Sequence, residues 1–365
     1  MSSKVGIIGA GAWGTAVAKV IAENKRAAGL DEDVVLWARK QDTAAEIMEA
    51  RTNTRYLPGV ALPDNVRADT DMRAVADGKD FLILATPSLY LLDTVKQILN
   101  LPSIREGETP IAVLTKGFLP GKGPGMEEPR LIVETLEDYL PGFYRHSLVY
   151  IAGPSHAEEV SRYKITGLIA ASENAKNSFR FRDLIKNNRV LVFSSLDVRG
   201  VQVASAAKNV IAIAFGILDA LKERDETVLG AAFGDGTSSL LLAAGLNEIQ
   251  MLGRAMGATH PETFTSISGV GDLDVTCRSV FGRNRRFGRD IVEKKILSTF
   301  HDIDDLIGRI SEVGYLPEGV AAAKYVRILA EKHGLKMPIS TGLYRILNRE
   351  IECEAFVDNF VGGLT

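Results

Sequence analysis

The chemistry in this chain gathers in a few short stretches where polar residues or glycines stand against an apolar pattern that does not call for them. The first is Gly9-Ala-Gly11-Ala-Trp-Gly14, which follows an apolar run and opens the helical run Thr15–Glu23. Strand, glycine turn and helix in that order are the context a dinucleotide fingerprint requires. Gly9 permits a tight turn, Gly11 lets the backbone approach a pyrophosphate, and Gly14 allows the helix to pack closely on the strand. The helix N-terminus then presents amide donors and a partial positive charge to the phosphates. The plain alternative, a glycine turn with no ligand, has strand, helix and spacing against it. The second strand ends Val34-Val-Leu-Trp-Ala-Arg39-Lys40, with no carboxylate to accept from a ribose 2′-hydroxyl. Arg39 and Lys40 are suited to a 2′-phosphate or are a solvated turn, so the cofactor is NAD or NADP.

The other stretches are Thr115-Lys116-Gly117, Gly153-Pro-Ser155-His-Ala157, Lys208-Asn209, and Gly269-Val-Gly271-Asp272-Leu with Thr276. Lys116 and Gly153–Ser155 each follow an apolar strand-like run, which places them at carboxyl ends of strands, the edge where open α/β sheets bind ligands. Lys208 lies in the run Val203–Phe215, otherwise almost entirely Ala, Val and Ile. An ammonium in that setting is either snorkelling to solvent or buried with a partner. A buried lysine whose charged form is destabilised can serve as acid or base near neutral pH, the task a carbonyl reduction sets. Asp272 is placed either to join such a site or to cap a helix starting at Leu273.

The elements that must position these residues follow from periodicity. Short β-branched runs at Lys4–Gly9, Asp33–Ala38, Phe81–Thr86, Pro110–Leu114, Ser147–Ile151, Gly167–Ala171 and Val190–Ser194 alternate with helical patterns, the signature of a parallel sheet covered by helices. From Val198 the apolar spacing becomes three to four residues, predicting helices over Ser238–Met256, Pro261–Ile267, Arg286–Glu293, Asp304–Val313, Gly319–His333 and Pro338–Leu347. The fold class is therefore an α/β Rossmann-like N-terminal domain with a mostly parallel sheet, residues 1–195, followed by an all-α domain, residues 196–365. The Gly- and Pro-rich segment Pro120–Pro129 reads as a surface loop within the first domain.

Composition narrows the function. With 365 residues, 46% of them hydrophobic and 24% charged, the chain can bury a sizeable core in each of two domains. A net charge of −3 exerts no general pull on nucleic acid or an anionic membrane, so phosphate chemistry must come from a local site. Cys277 and Cys353 are read as free thiols of a reducing cytosol, and neither they nor the five scattered histidines have metal-ligand spacing. No segment reaches the ~18 uninterrupted apolar residues of a membrane span. The expectation is a cytoplasmic protein with no metal, no nucleic acid and no membrane partner.

The ordered series Gly-Ala-Gly-Ala-Trp-Gly-Thr (9–15), Leu-Trp-Ala-Arg (36–39), Leu-Thr-Lys-Gly (114–117), Ala-Gly-Pro-Ser (152–155), Ala-Lys-Asn-Val-Ile-Ala-Ile (207–213), Gly-Val-Gly-Asp-Leu (269–273) with Thr-Cys (276–277), and Arg-Asn-Arg-Arg-Phe-Gly (283–288) resembles NAD(P)-dependent glycerol-3-phosphate dehydrogenases, especially the bacterial type. The resemblance runs from residue 4 to about 340. It implies a helical substrate-binding domain of the 6-phosphogluconate dehydrogenase type, reversible reduction of dihydroxyacetone phosphate to sn-glycerol 3-phosphate, supply of that product to phospholipid synthesis, and a homodimer. It also implies roles. Lys208 is the acid and base; Lys116, Gly153, Ser155, Asp272, Thr276, Arg283 and Asn284 hold the substrate. Gly9, Gly11, Ala12, Trp13, Gly14, Arg39, Lys116, Ala157, Arg283 and Glu318 meet the cofactor.

The chain departs from that pattern at Gly282, where the family commonly has Ser, and at Leu316-Pro317, where Val-Val or Val-Leu is usual. The segments Lys25–Asp33 and Pro120–Pro129 are longer than the bacterial pattern. His156 stands where Phe is usual, which favours packing or a helix start over proton transfer. Arg285 and Arg286 read as a solvated run. Two other functions fit the two-domain plan: a β-hydroxyacid dehydrogenase or ketopantoate reductase, and a non-catalytic sensor of dinucleotide redox state. The combined Leu-Thr-Lys-Gly and Arg-Asn-Arg-Arg-Phe-Gly pattern argues against the first, and the set Lys116, Lys208, Asp272 and Arg283 against the second.

Overall fold

A computed structural model describes residues 3–30, 32–121, 128–223 and 234–356. The chain divides into two compact units, residues 1–119 with 131–198, and residues 120–130 with 199–365. The first is built on strands β1 (Val5–Ile8), β2 (Val34–Trp37), β3 (Val66–Asp69), β4 (Phe81–Leu84), β5 (Ile111–Val113), β8 (Val149–Ala152), β9 (Thr166–Ala171) and β10 (Val190–Ser195). They form one sheet in the order β10-β9-β8-β5-β4-β1-β2-β3. A two-stranded ribbon pairs β6 (Phe118–Pro120) with β7 (Pro129–Leu131).

Strands β1, β5 and β8 are buried along their whole length, as strands covered on both faces must be. Helix Ala12–Ala27 packs Ala16, Val17, Val20 and Ile21 into a core shared with Ile7, Leu36 and Ile83. The chain runs from β1 outward to β2 and β3, then crosses back to β4 on the other side of β1. Strand order thus reverses between β1 and β4, and that reversal opens a crevice at the carboxyl ends of the two strands.

Each of the seven strand-like runs overlaps an observed strand, with β8, β9 and β10 each reaching one residue beyond the expected run, while β3, the edge strand Val-Arg-Ala-Asp, was not anticipated. The sheet is parallel except between β8 and β9. Between those two strands the chain forms only the four-residue helix Ala157–Val160, whereas β9 and β10 are linked by the eleven-residue helix Ala175–Ile185 and run parallel. A parallel crossover needs a helix long enough to return the chain along the sheet, and the first link lacks one.

The Lys25–Asp33 segment closes the first helix rather than forming a new element: buried Lys25 pairs with Glu32 at 2.7 Å and donates to the Ser3 carbonyl. The Pro120–Pro129 segment groups with the second unit, not with the first as its place in the sequence suggested. Its flanks are β6 and β7, and its centre, residues 122–127, lies outside the described residues.

The second unit is helical, with helices at Val198–Glu223, Asp235–Ala255, Glu262–Thr265, Asp272–Arg278, Arg283–Glu293, Ile303–Gly308, Gly319–Lys332 and Pro338–Leu347. Val198–Glu223 is long and apolar enough to cross a membrane, and it is instead the buried core helix of the unit. Two neighbours approach it where only glycine fits: a Cβ on Gly288 would lie 2.1 Å from the Ile213 carbonyl oxygen, and one on Gly319 would lie 2.5 Å from that of Asn209. The helix expected over Pro261–Ile267 stops at Thr265 and gives way to a π-helical turn, Ile267–Gly271. The helix expected over Asp304–Val313 breaks after Gly308 into a 3₁₀ turn at Ile310–Val313, and the one expected from Arg286 starts at Arg283.

Candidate functional site

In the first unit the glycine turn sits at the β1 end of the crevice. Gly9 has a φ of +125°, and the Gly9 and Ala10 amides both donate to the Trp37 carbonyl, at 3.3 and 3.0 Å, tying the turn to the end of β2. A Cβ on Gly14 would lie 2.0 Å from the Gly9 carbonyl oxygen, so the helix packs directly on the turn. Gly11 differs: a Cβ there would meet no atom within 4 Å. Among the described residues nothing demands glycine at 11, and no side chain caps the helix start at Ala12. Open ground before uncapped helix amides is what a pyrophosphate needs, so the residues present fit a dinucleotide. Trp13 and Ala12 are half-buried and pack against the core of this unit. Arg39 is exposed just beyond β2, with its guanidinium 5.8 Å from the centre of the Tyr90 ring.

At the neighbouring strand ends, Lys116 Nζ donates to the Gly153 carbonyl at 3.3 Å, and Ser155 Oγ donates to the same oxygen at 3.0 Å. Gly153 has a φ of +145°, and a Cβ there would lie 2.6 Å from the Gly167 carbonyl oxygen, so no other residue fits the bend. Thr166 pins the next carbonyl, that of Pro154. These contacts gather Lys116, Gly153 and Ser155 at the carboxyl ends of the paired strands β5 and β8. His156 precedes the short helix that Ala157 begins, and Ala157 is buried.

In the second unit, Lys208 is only 4% exposed and Asp272 only 1%. Lys208 Nζ pairs with Asp272 Oδ1 and donates to Thr276 Oγ1 at 2.9 Å. The Thr276 hydroxyl proton goes to the Asp272 carbonyl, which leaves an oxygen lone pair facing Lys208. Lys208 is therefore a buried, partnered ammonium rather than a snorkelling one. Asp272 is the first residue of its helix, and its carboxylate is paired with Lys208. The π-helical turn that precedes it has Gly269 where a Cβ would fall 2.0 Å from the Phe264 carbonyl oxygen. That turn sets where helix Asp272–Arg278 begins. Neighbouring Cys277 is buried, and burial pushes its thiol pKa up, which removes it as a nucleophile.

Asn284 is buried and engaged on both sides, accepting from the Gly319 amide at 2.9 Å and donating to Asn209 Oδ1 at 3.0 Å. It thus joins the helix start beside Glu318 to the residue next to Lys208. Arg283 is exposed at the uncapped start of helix Arg283–Glu293, with no hydrogen bond or ion pair among the described residues. A guanidinium beside free helix amides is an anion-binding arrangement. Glu318 is half-buried at the start of helix Gly319–Lys332.

Sequence reasoning gave no role to Asn209, although it was visible as the second polar residue in an apolar helix.

Comparison with known proteins gives the family. Residues 4–178 match the family described as NAD-dependent glycerol-3-phosphate dehydrogenase N-terminus, and residues 197–358 match its C-terminus. A glycerol-3-phosphate dehydrogenase [NAD(P)+] of Treponema denticola is 55% identical over 100% of both chains. One from Ligilactobacillus salivarius is 34% identical over 95% of this chain and 93% of its own. The crystal structure of glycerol-3-phosphate dehydrogenase from Coxiella burnetii superposes with a TM-score of 0.81 at 29% identity, covering 99% of each chain. Glycine turn, strand-end lysine, buried lysine–aspartate pair and these matches lead to one conclusion: the chain belongs to the NAD-dependent glycerol-3-phosphate dehydrogenase family and is an NAD(P)-dependent oxidoreductase.

Proposed function

We propose that the protein reduces dihydroxyacetone phosphate to sn-glycerol 3-phosphate, reversibly, with Lys208 as the group that gives and takes the proton. The observation that carries this reading is the buried Lys208–Asp272–Thr276 constellation. When bound, the dinucleotide supplies a hydride to the carbonyl carbon or takes one back. As the ketone carbon becomes tetrahedral its oxygen gains charge, and Lys208 Nζ gives that oxygen a proton. Asp272 offsets the cost of burying the ammonium, and Thr276 fixes its direction. Lys116, steadied by the Gly153 carbonyl, is a second cationic group for the substrate's developing charge. Arg283 takes the substrate phosphate; Asn284 holds the Arg283 helix to the Lys208 helix and adds its remaining N–H. Gly153 and Ser155 line the substrate side, and Ala12, Trp13, Arg39, Ala157 and Glu318 the cofactor side.

In this reading domains 1–195 and 196–365 bind dinucleotide and substrate respectively, and the protein is a cytoplasmic homodimer that feeds phospholipid synthesis. The test is NADH and NADPH oxidation with dihydroxyacetone phosphate, against unphosphorylated dihydroxyacetone and ketopantoate. Oxidation with the phosphorylated ketone alone is expected; equal rates with dihydroxyacetone would remove the phosphate requirement and the proposal with it.

A further inference from the structure

The crevice where strand order reverses is flanked by Gly9 at the end of β1 and by Ala85-Thr86 just past the end of β4. The two segments touch: a Cβ on Gly9 would lie 2.9 Å from the Ala85 carbonyl oxygen and 3.1 Å from the Thr86 amide nitrogen. On the other side, Thr115 Oγ1, one residue before Lys116, donates to the Thr86 carbonyl at 2.6 Å. Thr86 is thereby held between the glycine turn and the strand end that carries Lys116.

Its side chain is only 6% exposed, and its hydroxyl makes no hydrogen bond among the described residues. Four other buried threonines in this unit donate theirs: Thr94 to the Tyr90 carbonyl, Thr109 to that of Lys79, Thr115 to that of Thr86 and Thr135 to that of Leu131. A buried hydroxyl left without a partner is destabilising, and valine has nearly the same shape without that cost. The orphan sits at the fold's ligand crevice, beside the cradle that Gly11 leaves open.

We infer that the Thr86 hydroxyl is a hydrogen-bonding group for the bound dinucleotide, meeting a polar group of its nicotinamide nucleoside half. The inference rests on the dinucleotide reading of the glycine turn. Rotation about χ1 between staggered wells aims the hydroxyl into the crevice when the ligand arrives. Thr86 is then a residue that positions the dinucleotide.

The test compares the wild type with Thr86→Val and Thr86→Ser by equilibrium titration of NADH and NADPH and by thermal unfolding without ligand. Thr86→Val should bind the dinucleotide about tenfold more weakly, corresponding to about 1.4 kcal/mol. Its unliganded Tm should equal or exceed that of the wild type, and Thr86→Ser should restore affinity. A purely structural hydroxyl predicts a lower Tm for the valine variant with unchanged affinity, and that result overturns the inference. Wild-type affinity in Thr86→Val overturns it as well. Failure of the wild type to bind either dinucleotide would instead overturn the reading of the glycine turn.

Discussion

Replacing Lys208 with methionine removes the ammonium and keeps most of the side-chain volume. Asp272 is then a carboxylate with 1% exposure and no cation on it from Lys208. Breaking a buried pair from one side costs about 3–5 kcal/mol because the remaining charge is uncompensated. If the second unit unfolds cooperatively, a unit of that size loses about 2–4 °C of Tm per kcal/mol, so the drop should be roughly 6–20 °C. Adding Asp272→Asn neutralises the stranded charge and should recover most of the loss. Turnover should behave differently. Loss of a general acid costs about 10²–10⁴-fold, and neutralising Asp272 returns no proton donor, so the double variant stays inactive while regaining stability. Thermal unfolding and initial rates on the wild type, both single variants and the double variant separate the two effects. A Lys208→Met protein as stable as the wild type would refute the buried pair; one keeping more than about a tenth of wild-type turnover would refute the general acid.

Other consequences are as direct. Gly11→Ala should fold with unchanged or slightly higher Tm, since its Cβ meets no protein atom, yet lose dinucleotide affinity; unaltered titration curves would mean the open ground is not the pyrophosphate site. Arg283→Ala should raise the KM for the phosphorylated substrate, and an unchanged KM would rule out its phosphate role. Glu248 is buried against the start of helix Pro338–Leu347, accepting from the Ile339 and Ser340 amides and the Ser340 hydroxyl, and burial pushes its pKa from 4.5 to about 7 despite those donors. The folded protein therefore holds this proton more tightly than the unfolded chain. Its contribution is fully present below pH 4.5 and is lost as pH rises through about 7. In Glu248→Gln, stability measured by chemical denaturation should show less decline across that window; an identical pH profile would exclude the effect.

Much of this was legible in the sequence because the decisive signals were local. Glycine spacing located the turn Gly9–Gly14, and a lysine among alanines and isoleucines narrowed Lys208 to two readings, snorkelling or buried with a partner, between which only the fold decides. What escaped notice depends on distant contacts or on one extra residue in a turn. The antiparallel step at β9 follows from the shortness of helix Ala157–Val160, and β3 was too short and polar for its pattern to stand out. The π-helical turn before Asp272 needs one more residue than an α-turn, which apolar spacing does not resolve. Neither the engagement of Asn284 with Asn209 and Gly319 nor the orphan hydroxyl of Thr86 could be read before the chain was folded.

The most direct test of the central claim is isotopic. Enzyme supplied with reduced nicotinamide dinucleotide carrying deuterium at both C4 positions, and with dihydroxyacetone phosphate, should yield glycerol 3-phosphate carrying a single deuterium on its central carbon, with the new hydroxyl proton drawn from solvent. Product without deuterium, or dinucleotide oxidation without labelled glycerol phosphate, would contradict direct hydride transfer to this substrate.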